Sequence, residues 1–256
     1  MVQKLVNVEL FKAGVDGKFG GNRKLQAFVE TESAENLQVG TFAVVTNQYV
    51  GDATVVAKGA TIPLTDLVQD ETPVSFTKIA KGVKVTDEEM KQSFGDPLGN
   101  AENQTVRAIE GAQDKAVADL LKTATFGVEY STAKLSESAI LDAIAAMGEG
   151  IEDAPYFLLV NPADYATLSS IVKPSDKSEL IGQVYGAGLV MNNRIEAGTA
   201  FLVQEGAIKE IVQKDTDVEA ERKASNKSTE IYTDKIYAVY IQDESKLVKI
   251  TKKTGA

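Results

Sequence analysis

The sequence predicts an α+β protein, and three observations carry that assignment. Residues Thr41 to Thr86 are rich in Val, Thr and aromatic side chains, as strands are. A stretch from Leu98 to Lys122 repeats small and apolar residues at helical spacing. From Ile208 onward, the runs IKEIVQ, STEIYTDKIYAVYIQ and KLVKIT read as strands of an antiparallel sheet closing the chain.

Composition narrows the function. A chain of 256 residues, 43% hydrophobic and 25% charged, is long enough to bury a real core as one large domain or two smaller ones. A net charge of -10 argues against a protein whose main work is gripping nucleic-acid phosphates. With no Cys there is no disulfide, thiolate nucleophile or Cys-based metal site. With no His, the commonest general base and transition-metal ligand are also gone. The start, MVQKLVNVELFKAG, lacks the apolar core of a signal peptide, and no run approaches the ~18–20 apolar residues of a membrane span. A soluble product that folds in a cytoplasm, with no membrane partner, is expected.

Residues 1–40 are mixed, with a Gly-rich patch, GVDGKFGGN, from Gly14 to Asn22. Its spacing fits neither a dinucleotide fingerprint nor a P-loop, so a flexible N-terminal arm is expected. Residues 41–79 then read as a long hairpin, with TFAVVTNQYVGDATVVAKG going out, Gly59 near the bend and Pro63 in the returning arm. Pro63 and Pro73 favour an edge or a bend at those points. The apolar phase shifts between Phe76 and Ile79, which suggests a bulge or twist.

Each arm of ~15 residues would reach ~50 Å at about 3.3 Å per residue. A compact globule of this length is roughly 45–50 Å across. An isolated hairpin is marginal in water, and Val55, Val56, Ile62, Leu64, Leu67 and Val74 need cover. Two arrangements remain open: the hairpin folds back across its own domain, or it projects and is covered by another copy.

Across residues 80–134, Thr86 and Glu89 form a capping box, GDPLG breaks the first helix, and the long helix follows. Its expected buried stripe is Ala101, Thr105, Ile109, Ala112, Ala116, Leu120 and Ala124. Residues 135–207 bring a helix over SESAILDAIAAMGEG ended by glycine, a buried strand YFLLV, and a helix capped by Asn161 with Pro162 first. The polar KPSDKSELIG is loop-like, and GLVMNN and TAFLVQ read as core strands. Residues 208–256 hold the closing sheet.

Candidate chemistry is sparse. Asp215, Asp217, Glu219 and Glu221 alternate onto one strand face, and hard oxygen ligands suit calcium. No EF-hand-like loop surrounds them, so a solvated strand face is expected and no metal is assigned. Asp87, Glu88 and Glu89 sit where a helix N-terminus attracts acidic residues anyway. No nucleophile, base and oxyanion donor can be assembled, so neither a catalytic residue nor a cofactor is assigned.

Four stretches in order resemble the tailed-bacteriophage major capsid proteins of the Hong Kong ninety-seven-like fold. YVGDATVVAKGATIPLTDL (Tyr49 to Leu67) is similar to that family's extended loop, and VSFTKIAKGVKVTDEEMKQSFGDPLGNAENQ (Val74 to Gln104) to the return strand and spine helix. FLLVNPADYATL (Phe157 to Leu168) resembles a strand and helix of the axial domain. YGAGLVMNNRIEAGTAFLVQEGAIKEIVQKDTDVEAER (Tyr185 to Arg222) resembles the passage into the peripheral domain.

The resemblance implies an arm (1–40), an extended loop (41–79), a spine helix and peripheral region (80–134), an axial domain (135–207) and a peripheral sheet (208–256). It implies hexamers and pentamers of this chain closing an icosahedral head around double-stranded DNA, with weak, non-specific genome contact. Assembly would take place in the host cytoplasm, the product would be a virion component, and scaffolding and portal proteins would be partners. The loop of each copy would lie over its neighbour, making Val55, Val56, Lys58, Gly59, Ile62, Pro63, Leu64 and Leu67 subunit contacts. A few members crosslink a loop Lys to a peripheral Asn; Lys58 and Asn226 are of those types, but no surrounding pattern supports it. Two rivals are a compartment shell of the encapsulin kind and a soluble α+β enzyme. The first is similar across its members in an N-terminal amphipathic cargo helix, for which VELFKAGVDGKFGGN is short and Gly-rich.

Overall fold

The computed structural model describes residues 7–21, 23–34, 40–47, 54–62, 64, 69–92, 95–131, 135–148, 154–168, 183–184 and 186–253. In chain order the elements are α1 (Val8–Asp16), β1 (Val29–Ser33), β2 (Thr41–Asn47), β3 (Gln69–Ser75), β4 (Thr77–Thr86), α2 (Asp87–Gln92) and α3 (Pro97–Lys122). Then come β5 (Gly127–Tyr130), α4 (Glu137–Met147), β6 (Tyr156–Val160), α5 (Pro162–Leu168), β7 (Gln183–Val184) and β8 (Ala187–Met191). β9 (Thr199–Gln204), β10 (Ile208–Lys223), β11 (Ser228–Ile241) and β12 (Leu247–Lys252) complete the chain.

Two sheets flank α3. One has the order β1-β10-β11-β4, with β1 parallel to β10 and the other pairs antiparallel. The other has the order β5-β12-β9-β6-β8-β7. α3 starts sharply because the Asp96 side chain accepts from the Gly99 N–H at 3.0 Å and Pro97 needs no donor there. Asp96→Ala is expected to cost about 1 kcal/mol of stability, read from the shift of a urea unfolding midpoint. The Thr86–Glu89 capping box forms as expected, with Thr86 N–H donating to Glu89 at 2.8 Å and Glu89 N–H to Thr86 at 3.3 Å.

The buried stripe of α3 changes phase midway. Ala101, Thr105 and Ile109 are buried as expected, and so is Ala124 just past the helix, but between them burial passes to Gln113, Val117 and Leu121, leaving Ala112, Ala116 and Leu120 half-buried. The cause is a change of partner. Ala101 and Val106 pack with Phe11, Val15, Val85, Val218 and Ile231 on the four-stranded side. Val117, Ala118 and Leu121 pack with Leu25, Phe28, Leu159, Phe201 and Val203 on the six-stranded side.

Three further expectations need correction. The N-terminal segment is a docked element and not a flexible arm: Asn7 caps α1, and Phe11, Val15, Leu25 and Phe28 are all buried. Gly14 faces the Glu102 carboxylate of α3, whose flexible end a Cβ at that position would displace. The segment then supplies β1 to the four-stranded sheet.

The closing antiparallel sheet is the second. β10 and β11 do pair antiparallel, but β12 crosses to the other sheet, between β9 and β5. The adjacent Leu247 and Val248 are both buried, on opposite faces, which requires cover on both sides. α4 supplies cover on one side and α3 on the other.

The third concerns the hairpin. Its ladder joins the seven-residue strands β2 and β3, with Thr41 opposite Ser75 and Asn47 opposite Gln69, about 23 Å instead of ~50 Å. The expected irregularity near Phe76 is a change of partner: β3 pairs with β2 up to Ser75, and β4 pairs with β11 from Thr77. Val74, together with Phe42, Val44 and Phe76, is covered by Ile211, Ala238 and Tyr240 of the chain's own sheet. The base of the hairpin therefore folds onto its own domain.

Candidate assembly surfaces

Beyond that base the described residues, 54–62 and 64, are exposed. Val55 is 101% exposed, Leu64 95% and Ile62 70%, while Val56 is partly shielded at 36%. Ala60 N–H donates to the Ala57 carbonyl at 3.0 Å, closing a tight turn. Gly59 holds φ +87° in that turn, a left-handed conformation that a side chain resists. Lys58 sits in the same turn. Pro63 and Leu67, the other expected contacts, lie outside the described residues, as does the KPSDKSELIG stretch. Val55, Ile62 and Leu64 thus place exposed apolar side chains around one turn.

Asn226 sits at the opposite kind of place, the short turn between β10 and β11, where Lys227 takes φ 50°. The Asn226 amide nitrogen donates to the Ser228 hydroxyl at 2.8 Å and to the Lys223 carbonyl at 3.1 Å, and its oxygen accepts from Lys84 Nζ at 3.1 Å, so the amide is engaged locally.

The acidic row of β10 is split up rather than gathered. Register shifts between Val212 and Lys214 and between Lys214 and Asp217 disturb its alternation. Asp215 pairs with Lys235 at 3.2 Å, Asp217 with Lys214 at 2.6 Å, and Glu221 with Lys223. The Lys214 hydrogen bond holds the Asp217 carboxyl below its ordinary value. Among the described residues, no three acidic side chains are set to hold a metal ion.

Asp87 does more than favour a helix start. Arg222 donates to both of its oxygens, at 2.8 and 2.6 Å, tying α2 to β10 and holding the Asp87 carboxyl below its ordinary value.

β4 offers a second surface. It ends the four-stranded sheet, so its outer edge is unpaired among the described strands, and Lys78, Lys81 and Lys84 are exposed along it. Between this edge and the start of α3 lies a cleft of about 430 Å³ lined by Val83, Val85, Pro97, Ala101 and Gln104. Lysines on an edge strand discourage indiscriminate pairing while leaving the backbone available to an acidic partner.

Sequence reasoning missed a buried polar cluster at the waist of α3. Glu110, Gln113, Asp114 and Glu210 are buried, and Arg23 lies among them with its side chain 6% exposed. Arg23 donates to Glu210 at 2.6 Å, and Gln113 donates to the other Glu210 oxygen at 2.7 Å. A signal was present: Glu110 and Asp114 follow the buried Val106 by four and eight residues, on the same helical face.

Residues 69–250 match the phage capsid protein family. The chain is 35% identical over 246 residues to the major capsid protein of Staphylococcus phage phiMR11, covering 91% of this chain and 88% of that one. The capsid of an empty GTA particle superposes with a TM-score of 0.71 at 12% identity, over 91% of this chain and 90% of that one. A virus-like particle from Pyrococcus furiosus has a TM-score of 0.63 at 15% identity, over 96% and 100%. The fold is accordingly the Hong Kong ninety-seven-like α+β capsid fold. The chain belongs to the phage capsid protein family, and its role is that of a tailed-phage major capsid protein. The compartment-shell rival has no better support, since the structural likeness to the Pyrococcus particle is one of fold.

Proposed function

We propose that copies of this chain form hexamers and pentamers and close an icosahedral head around double-stranded DNA, each copy laying its loop over a neighbour. The single observation that carries the loop contact is the exposure of Val55, Ile62 and Leu64 on a turn its own domain leaves bare. In this arrangement Val55, Val56, Lys58, Gly59, Ile62, Pro63, Leu64 and Leu67 are subunit contacts. The lysine edge of β4 is a matching surface, because residues 48–72 carry Asp52, Asp66, Asp70 and Glu71 against the single Lys58.

The six-stranded sheet with α4 and α5 acts as the axial domain, joined by β5 and β12 from outside residues 135–207. The four-stranded sheet acts as the peripheral domain and includes β1. Function is carried by distributed surface, without a catalytic centre. Scaffolding and portal proteins are the further partners, and assembly takes place in the host cytoplasm. An acidic chain suits weak, non-specific genome contact.

Negative-stain microscopy of the expressed full chain tests this. Closed shells or capsomer rings are the expected result; a monomer that persists across protein concentration, salt and crowding agent overturns the proposal.

A further inference from the structure

The N-terminal segment meets a row of carboxylates on α3. Lys18 pairs with Glu102 at 2.6 Å, Gly20 N–H donates to Glu110 at 2.6 Å, and Lys24 N–H donates to Asp114 at 3.3 Å. Arg23 stands 3.7 Å from Asp114 and 2.6 Å from Glu210. Burial deepens along the row, from the Glu102 side chain at 16% exposed to Glu110 at 1% and Asp114 at 5%.

The inner end is overcharged. Glu110 and Asp114 from α3 and Glu210 from β10 are all buried, and Arg23 is the buried cation that faces them. The other groups around them do not restore balance. Gln113 is neutral, and Tyr237 of β11 keeps its proton because burial, and then Glu210, push its hydroxyl up to about 12. Arg194 lies at the surface, with its guanidinium donating to the Gly111 carbonyl at 2.8 Å. Glu110 Oε2 and Asp114 Oδ1 accept no hydrogen bond. Three carboxylate charges against one buried guanidinium is a costly arrangement, and a bound proton relieves it.

We propose that residues 7–21 and 23–34 form a proton-controlled strap, docked against α3 while Asp114 in this cluster holds a proton and loosened when the proton leaves. Burial raises the Asp114 carboxyl, and Arg23, the Lys24 N–H, the more distant Arg194 and the Leu25 N–H offset that only in part. Asp16 of α1 shifts in the same direction, through burial first and Asp215 next, opposed by Lys12 and Lys235. The docked state therefore binds protons more tightly than the free segment does. Its advantage is complete below the ordinary carboxyl value of 3.8 and is lost as pH climbs through the raised value.

Hydrogen exchange on the full, unassembled chain between pH 4 and 8 reads this out. The ratio of strap amides (8–16 and 29–33) to β9 amides cancels the intrinsic pH dependence of exchange. Strap protection is expected to fall relative to β9 as pH rises, by up to about tenfold per pH unit within the titration. Asp114→Asn keeps an acceptor for Lys24 N–H but cannot titrate, so its strap should stay protected and most of the slope should vanish. A ratio that is flat or rises with pH in the parent chain overturns the proposal, whether or not the variant folds. An Asp114→Asn slope equal to the parent's overturns it as well.

Discussion

Replacing Val55, Ile62 and Leu64 together with serine should leave the subunit's unfolding midpoint unchanged while assembly fails. The first half follows from exposure. At 101%, 70% and 95% exposed, these side chains contribute almost nothing to the stability of their own subunit. The second half follows from what a neighbour would gain by covering them. Burying a Val, Ile or Leu side chain is worth about 1.5–3 kcal/mol, so three supply at least about 4 kcal/mol per copy. That corresponds to roughly a thousandfold in the association constant of each contact. In the proposed arrangement every copy would both give and receive one loop, so the deficit would recur throughout the particle. Sedimentation velocity should show a shift from large particles to free subunits or small rings. Assembly at the parent's concentration would remove the loop from the interface. A lowered midpoint would instead mean that the loop is held by its own domain.

The hairpin shows why the sequence could be read only so far. Its apolar content and its turn at Gly59 were legible, because both are local properties. That Val74 and Phe42 lie on Ile211 and Tyr240 while Val55 and Leu64 lie on nothing was not, because cover is a property of tertiary placement. The same divide explains the N-terminal segment. Glycines between Gly14 and Gly21 suggest looseness, yet the segment is docked, with Lys18 among them paired to Glu102 of α3. Only Phe11 and Val15, four residues apart, hinted at a buried helical face. β12 was recognised as a strand, but its sheet was not, since pairing partners leave little trace in six residues. Element identity was legible where caps and periodicity speak, as at Asn161 and Thr86. Buried polar contacts such as Arg23 with Glu210 span 187 positions and leave no local pattern.

Ile231→Ala and Leu121→Ala should each cost about 2–5 kcal/mol, and each should shift a single unfolding transition. Both side chains are fully buried, Ile231 in the four-stranded core and Leu121 in the six-stranded one. Two sheets with separate cores would ordinarily be able to unfold separately. Here α3 blocks that, because one 26-residue helix supplies Val106 to the first core and Val117 and Leu121 to the second. Losing either core strips one face from the shared helix, and a helix in water without its packed face is marginal. β10 adds a second tie, with Ile208 in one core and Val218 in the other. Damage to one core must therefore lower the stability of the whole. The two sites share no partner, so the double variant should lose close to the sum of the single costs. Guanidinium unfolding followed by both circular dichroism and tyrosine fluorescence separates the outcomes. Coincident curves with a common lower midpoint are expected for each variant. Two resolved transitions, with only one moved by each substitution, would show that the spine helix does not couple the two cores.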